Sequence, residues 1–184
     1  QTCALPIWAM QALLREALQA GAAGFSTGRS DNHRTSEGKD TPAAEASHAE
    51  LTGLAQAFQG LSHGVVQMVS DYNLMKGPSE FEAEFDLVEA VAKASGKSLS
   101  LTWLQRDPGG EQFLRIQDRV EKAVANGLPL YMQTAARGIG VLNGLDASFH
   151  PFMGFPSYKE VAHLPLAERA AALRDRSEER RVGK

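Results

Sequence analysis

Three observations predict an α/β chain that forms part of a (β/α)8 TIM-type barrel: about four βα units followed by a helical insertion at the mouth. Amphipathic helical stripes alternate four times with short, β-rich apolar runs, and glycines close the stripes. The runs all end in polar residues: Ser26/Thr27, Ser70/Asp71, Gln105/Arg106 and Gln133/Thr134. Single helices between strands require crossover connections and hence a parallel sheet. Polar residues at every strand end are what the carboxyl face of a barrel enzyme displays.

In chain order, Met10–Ala20 carries Met10, Leu13, Leu14, Ala17 and Leu18 on one helical face, with Gly21 placed as the stop. A first strand follows at Ala22–Ser26 and opens into a dense polar loop through Arg29, Asp31 and His33. Ser47 and Glu50 form a capping box ahead of the stripe Leu51, Leu54, Ala55 and Phe58, and Gly60–Gly64 ends that helix. Val65–Ser70 reads as a second, buried strand. Ser79 and Glu82 repeat the capping box, and Phe81, Phe85, Val88 and Ala92 line one face up to Gly96. Leu99–Leu104 is the third strand, and Asp107–Gly110 is a turn. The next stripe, Phe113, Ile116, Val120 and Val124, ends at Gly127. Leu128–Gln133 is the fourth strand, its Pro129 tolerable at a strand start. A glycine-rich apolar stretch, Arg137–Leu145, then replaces the pattern, and no fifth strand is expected before Asp175. Two short helices are expected there, one capped by Ser157/Glu160 and one entered at Pro165.

The strands begin roughly 43, 34 and 29 residues apart, a spacing that suits an open doubly wound sheet or a barrel of ~250 residues. A dinucleotide-binding sheet wants G-x-G-x-x-G between its first strand and helix. The first loop here, GRSDNHRT, is too long and polar for that turn. The later GIGVLNG precedes no convincing long helix, so the barrel is favoured.

The two ends stand apart from the middle. Gln1–Ile7 and Arg176–Lys184 resemble translated sequencing-adapter ends, which leaves 8–175 as a fragment of one barrel domain. The 184 residues are 43% hydrophobic with net charge −3. Without the four basic and two acidic residues of 176–184, 15 basic residues face 20 acidic ones and the charge is −5. That acidity speaks against nucleic acid or an anionic membrane as partner. The only cysteine, Cys3, lies in the first tail. No apolar run reaches the ~18 residues of a membrane span, and the cytoplasm is the default location.

The candidate substrate-binding residues are those placed at one barrel mouth: Ser26, Arg29, His33, Gln67, Asp71, Gln105, Gln133 and His150. His33 and His150 lie in expected mouth loops, as ligand or proton carrier or as ordinary solvated histidines. Asp71 suits a base, a ligand or a turn residue. Arg29, Arg106 and Arg137 all follow strands, and one of them could grip a substrate carboxylate through two parallel hydrogen bonds; the alternative is a salt bridge between loops. Strict alternation decides whether Gln67, Trp103 and Gln133 face the barrel interior or the helices. No H-x-H, H-E-x-x-H or C-x-x-C motif occurs, and no metal ligand is identified within 8–175.

The segments GAAGFSTGRSDNHR, QMVSD, LSLTWLQRDPGGEQF, QTAARGIGVLNGLDASFHPF and PSYKEVAHLPLAERAAALRD together resemble the D-aminoacylase branch of the amidohydrolase superfamily, the N-acyl-D-amino-acid deacylases. The resemblance covers nearly all of 8–175. It implies a barrel that holds one or two divalent ions, usually Zn²⁺, which activate water against a linear amide, with an aspartate passing the proton to the leaving amine. The family's early H-x-H pair and late catalytic aspartate would lie before and after this segment, so the fragment alone is expected to be inactive. Better-known members carry a histidine at the end of each of two central strands. This chain has Val69 or Ser70 and Trp103 there. Two other functions stay open: a cyclic amidase of the hydantoinase or dihydroorotase type, and a non-catalytic relative that binds a small ligand. The first commonly needs a modified lysine on a central strand, and none of the four strands has a lysine.

Overall fold

A computed structural model describes residues 6–30, 33–35, 38–73, 77–106, 109–138, 140, 142–147 and 150–174. Cys3, both halves of the Asp31–Asn32 pair, Asp107 and Pro108 of the expected turn, and the stretch 176–184 lie outside the described residues. The chain divides into two compact units, one of residues 1–33 and 41–137, the other of 34–40 and 138–184.

The first unit alternates helix and strand: α1 (Ile7–Gln19), β1 (Gly24–Arg29), α2 (His48–Ala55), β2 (Val65–Ser70), α3 (Pro78–Ser95), β3 (Leu99–Thr102), α4 (Gln112–Ala125) and β4 (Leu130–Gln133). The strands form one sheet in the order β1-β2-β3-β4, every pair parallel. The register sets Arg29 beside Ser70 and Thr102 beside Gln133, which brings the carboxyl ends of neighbouring strands level.

Alternation along the strands separates two faces. Val66, Met68, Leu99, Leu101 and Leu130 are buried in one core with Leu18, Leu51, Leu54, Phe58, Phe81, Phe85, Val88, Ile116 and Val120 from the helices. The opposite face carries Ser26, Gln67, Ser100, Tyr131 and Gln133, all exposed or half-buried. The helices form one continuous layer. α1 packs on α2 and α2 on α3. Arg119 of α4 is ion-paired to Glu82, Asp86 and Glu89 of α3, and its guanidinium lies 4.7 Å from the Phe85 ring. Burial pulls the Arg119 pKa down, but its hydrogen bonds to Asp86, Glu89 and Glu82 outweigh that and raise it above the ordinary value.

Close approach explains two glycines. A Cβ on Gly24 would lie 1.9 Å from the Val65 carbonyl oxygen, so only glycine lets β1 meet β2 at this register. Gly64, at φ +115°, leaves room for the Phe58 ring, 2.6 Å from where its Cβ would be.

Several expected details are corrected. β1 runs to Arg29, three residues beyond the expected end, so Ser26, Thr27 and Arg29 are strand residues. β3 ends at Thr102 and β4 begins at Leu130. Ser47 does cap α2 by accepting from the Glu50 amide at 3.1 Å. Ser79 and Ser157 cap nothing: Pro78 and Pro156 occupy the first helical positions, and the caps are Gly77 and Phe155 without a side-chain bond. Proline at that position fixes φ and needs no amide partner, so the helix starts one residue ahead of each serine. Leu13 is 57% exposed and Val124 48% exposed, with Ala123 buried in place of the latter. Ile7, the last residue of the adapter-like stretch, opens α1, and its side chain lies against Gly53.

The second unit contains α5 (Pro156–Val161) and α6 (Leu166–Arg174), together with an antiparallel bridge and an ion pair between Arg34 and Asp40. No fifth strand occurs among its described residues. No described helix is long and apolar enough to cross a membrane.

Candidate functional site

The level carboxyl ends of the four strands, and the polar face running up to them, gather most of the candidate residues of the first unit. On that face Ser26 pairs with Gln67 in register and its hydroxyl donates to the Gln67 Oε1. Gln67 is in register with Ser100, whose hydroxyl donates to the Gln133 Oε1 at 3.0 Å. Two hydrogen-bonded pairs of neutral side chains, Ser26–Gln67 and Ser100–Gln133, thus lie side by side in a polar row across β1–β4. The row arises from polar residues at alternate positions of otherwise apolar strands.

Arg29 lies on the other face. Its Nε and Nη2 donate to the two carboxylate oxygens of Glu84 at 2.7 and 3.0 Å, and its Nη1 donates to the Ala46 carbonyl at 2.6 Å. The Ser70 hydroxyl donates to Glu84 Oε1 at 3.0 Å. Glu84 is only 4% exposed. The guanidinium is therefore committed to a buried carboxylate between sheet and helices. The pair joins a strand to a helix, so it is neither the expected grip on a substrate carboxylate nor the alternative salt bridge between loops.

Beyond β2 the chain turns sharply. Asp71 is ion-paired to Arg106. Tyr72 and Asn73 follow with φ of 51° and 49°, a left-handed pair of non-glycine residues. Such backbone is costly and persists only where surrounding bonds hold it. Here the Tyr72 amide donates to the Ser70 hydroxyl at 2.9 Å and the Tyr72 hydroxyl donates to the Thr102 carbonyl at 2.8 Å. The Tyr72 ring sits 6.1 Å from Phe81 and 6.2 Å from Phe85. Burial, and next the charge of Glu84, raise the Tyr72 pKa well above the ordinary tyrosine range, against a smaller lowering by Arg106. The hydroxyl stays a donor at neutral pH, and the turn aims Asp71 at Arg106.

The remaining candidates separate. Gln105 is exposed beyond β3. His33 is exposed after β1, with Nδ1 3.0 Å from where a Gly28 Cβ would stand. His150 is buried in the second unit. Trp103 turns to the helix side: its indole donates to the Phe113 carbonyl at 2.9 Å and its ring lies 6.4 Å from the Phe113 ring. Among the described residues no group of three His, Cys, Asp or Glu side chains comes together in a way that could hold a metal ion.

Sequence reasoning missed Glu84, Ser70 as its partner, and Tyr72. Glu84 had a readable signal. It sits on the apolar stripe of α3 between Phe81 and Val88, and a carboxylate at a core-facing position requires a cationic partner. Compared with protein-family models, curated proteins and solved structures, the chain matches none.

Proposed function

We propose that this chain is part of a (β/α)8 barrel of the amidohydrolase kind, and that its complete protein hydrolyses linear amides, N-acyl-D-amino acids by preference, as small-molecule substrates in the cytoplasm. The observation that carries the reading is the one-sided winding of the sheet. Four parallel strands follow one another in chain order, their helices form a single layer, and the opposite face carries Ser26, Gln67, Ser100 and Gln133 beside Val65, Val69 and Tyr131. A doubly wound sheet reverses strand order and places helices on both faces. A barrel wall does neither, and its interior is the face away from the helices. In this reading Ser26, Gln67, Ser100 and Gln133 line the interior as neutral donors and acceptors suited to an amide, and Asp71 with Arg106 stands at the mouth. The chemistry itself is taken from the resemblance.

The described residues do not fit the Zn²⁺ that the resemblance implies. Val69 offers no donor, the Ser70 hydroxyl is engaged with Glu84, Trp103 faces the helices, and among the described residues no triad of ligating side chains is assembled. In this reading the ligands come from outside the described residues. The resting positions of the charged groups favour a second reading, a ligand-binding relative without catalysis: Arg29 and Asp71 are each already matched by an internal partner.

The test is the protein encoded by the complete reading frame, loaded with Zn²⁺ and assayed for amine release. D-selective cleavage of N-acetyl amino acids, abolished by a chelator and restored by metal, supports the proposal. Ring opening of hydantoins or dihydroorotate would transfer it to the cyclic amidases. Tight binding of these compounds without turnover would establish the non-catalytic reading.

A further inference from the structure

The tripeptide Asn-Gly-Leu occurs twice in this chain, at Asn126–Leu128 and at Asn143–Leu145. Asparagine before glycine is chemically vulnerable. The backbone nitrogen that follows can attack the side-chain carbonyl, and glycine, lacking a Cβ, neither hinders the approach nor restricts the dihedrals it needs. Both asparagines and both glycines are exposed to solvent. What differs is the attacking amide. Asn126 ends α4 with near-helical backbone, φ −88° and ψ 12°, and the Gly127 amide donates to the Val124 carbonyl at 2.9 Å. The Asn126 amide is held as well, by the Lys122 and Ala123 carbonyls at 3.1 and 3.2 Å. The Gly127 nitrogen is thus turned back onto the helix with its proton engaged.

Asn143 lies in an irregular stretch of the second unit. Neither its side chain nor the Gly144 amide has a hydrogen-bond partner among the described residues. A Cβ built on Gly144 would meet nothing within 4 Å, so the space around this residue is open. Its carbonyl, by contrast, accepts from the Ala147 amide at 3.0 Å, and the Leu145 carbonyl accepts from Arg169 Nη1 at 2.6 Å. The loop is anchored after the glycine nitrogen, and the nitrogen itself is uncommitted.

We propose that Asn143 is a site of spontaneous, intramolecular deamidation, and that Asn126, in the same tripeptide, is protected from it. The Gly144 nitrogen gives its proton to hydroxide or a buffer base and attacks Asn143 Cγ. A bond forms between that nitrogen and Cγ, the Cγ–Nδ2 bond breaks, and the side-chain nitrogen takes up a proton and leaves as ammonia. Water then opens the cyclic imide at either carbonyl, which gives an aspartyl or an isoaspartyl residue without any change of oxidation state. The product adds one negative charge and takes the chain from −3 to −4. The isoaspartyl link also lengthens the backbone by one carbon, directly ahead of the Gly144–Ala147 turn and of the Leu145 carbonyl that holds Arg169. The site lies within the second unit and does not depend on the amidohydrolase reading.

The experiment incubates the full 184-residue chain under native conditions at mildly alkaline pH and follows its tryptic peptides by mass spectrometry. Trypsin places the two asparagines on separate peptides, 123–137 and 138–159, and the second holds no other asparagine and no glutamine. Peptide 138–159 is expected to gain the mass of an amide-to-acid conversion, as two chromatographically distinct products. The gain should be about tenfold faster than at Asn126, where a hydrogen bond must open first. In urea the two sites should convert at similar rates, because the tripeptide is the same. Gly144→Ala, at a position with open space, is expected to slow the reaction several-fold by placing a Cβ beside the attacking nitrogen. Equal rates in the native chain, or faster conversion at Asn126, would overturn the proposal. So would a rate ratio that persists in urea, since the fold would then not set it. Undiminished conversion in Gly144→Ala, or an aspartyl product alone, would overturn the ring-closure route.

Discussion

Arg29 at the end of β1 and Glu84 in the middle of α3 meet edge to edge, with both carboxylate oxygens accepting from one guanidinium at 2.7 and 3.0 Å. The pair ties the first strand to the helix that follows the second. Side-chain exposures of 17% and 4% place it largely out of water. There, removing one partner strands a charge, whereas replacing both by apolar groups need not cost stability.

Glu84→Ala and Arg29→Ala should each lower stability by about 3–5 kcal/mol, read from urea unfolding of the chain. Arg29→Met with Glu84→Leu should recover most of that loss. If the complete protein has the proposed activity, the effect of Arg29→Ala on it should follow folded fraction rather than KM. A rise in KM at undiminished stability would return Arg29 to the substrate site.

What could be read from the sequence follows from what each residue type demands locally. VVQMVS admits one reading, and β2 has those bounds. Gly21, Gly96 and Gly127 all stop helices at positive φ, which their lack of a Cβ permits. Polarity alone misjudged the end of β1, because a strand with one open face alternates. Ser26 is exposed while Thr27 beside it is buried. The faces of Arg29 and Trp103 follow from the same alternation, once the strand register is known. The Arg29–Glu84 and Asp71–Arg106 partnerships join residues 55 and 35 positions apart, and only the parallel register brings them together. No local pattern encodes that distance.

Gly24→Ala tests the sheet itself. A methyl group placed 1.9 Å from the Val65 carbonyl must push β1 from β2. The expected loss exceeds about 2 kcal/mol, against about 1 kcal/mol for Gly60→Ala, where open space leaves only the cost of the positive φ. Hydrogen exchange of the Val65–Ser70 amides should rise in the first variant and not in the second.

Tyr72 gives stability an alkaline limit. Its folded pKa is raised above the unfolded value of 10.0, first by burial and then by Glu84. The folded state therefore holds the phenolic proton where the unfolded chain releases it. The contribution is complete below about pH 10 and declines as pH rises from there through the folded pKa. Tyr72→Phe should flatten that decline. At neutral pH it should cost about 0.5–1.5 kcal/mol for the lost bond to the Thr102 carbonyl. An unchanged alkaline slope would show that another group sets the limit.

The polar row across the open face separates a functional role from a structural one. Gln67 and Gln133 accept from Ser26 and Ser100 on a face that holds no part of the apolar core. Their replacement should therefore leave folding nearly untouched. Gln67→Leu and Gln133→Leu are expected to change stability by less than about 0.5 kcal/mol, since neither leaves a buried polar group without water. If this face is a barrel interior that contacts an acylamino substrate, each loss removes a hydrogen bond to the amide and should lower kcat/KM in the complete protein by about tenfold. Gln67→Glu provides the control for charge: an anion near a substrate carboxylate should raise KM more than it lowers kcat. Full activity in all three variants would take the row out of the site and leave Asp71 and Arg106 as the polar groups to examine at the strand ends.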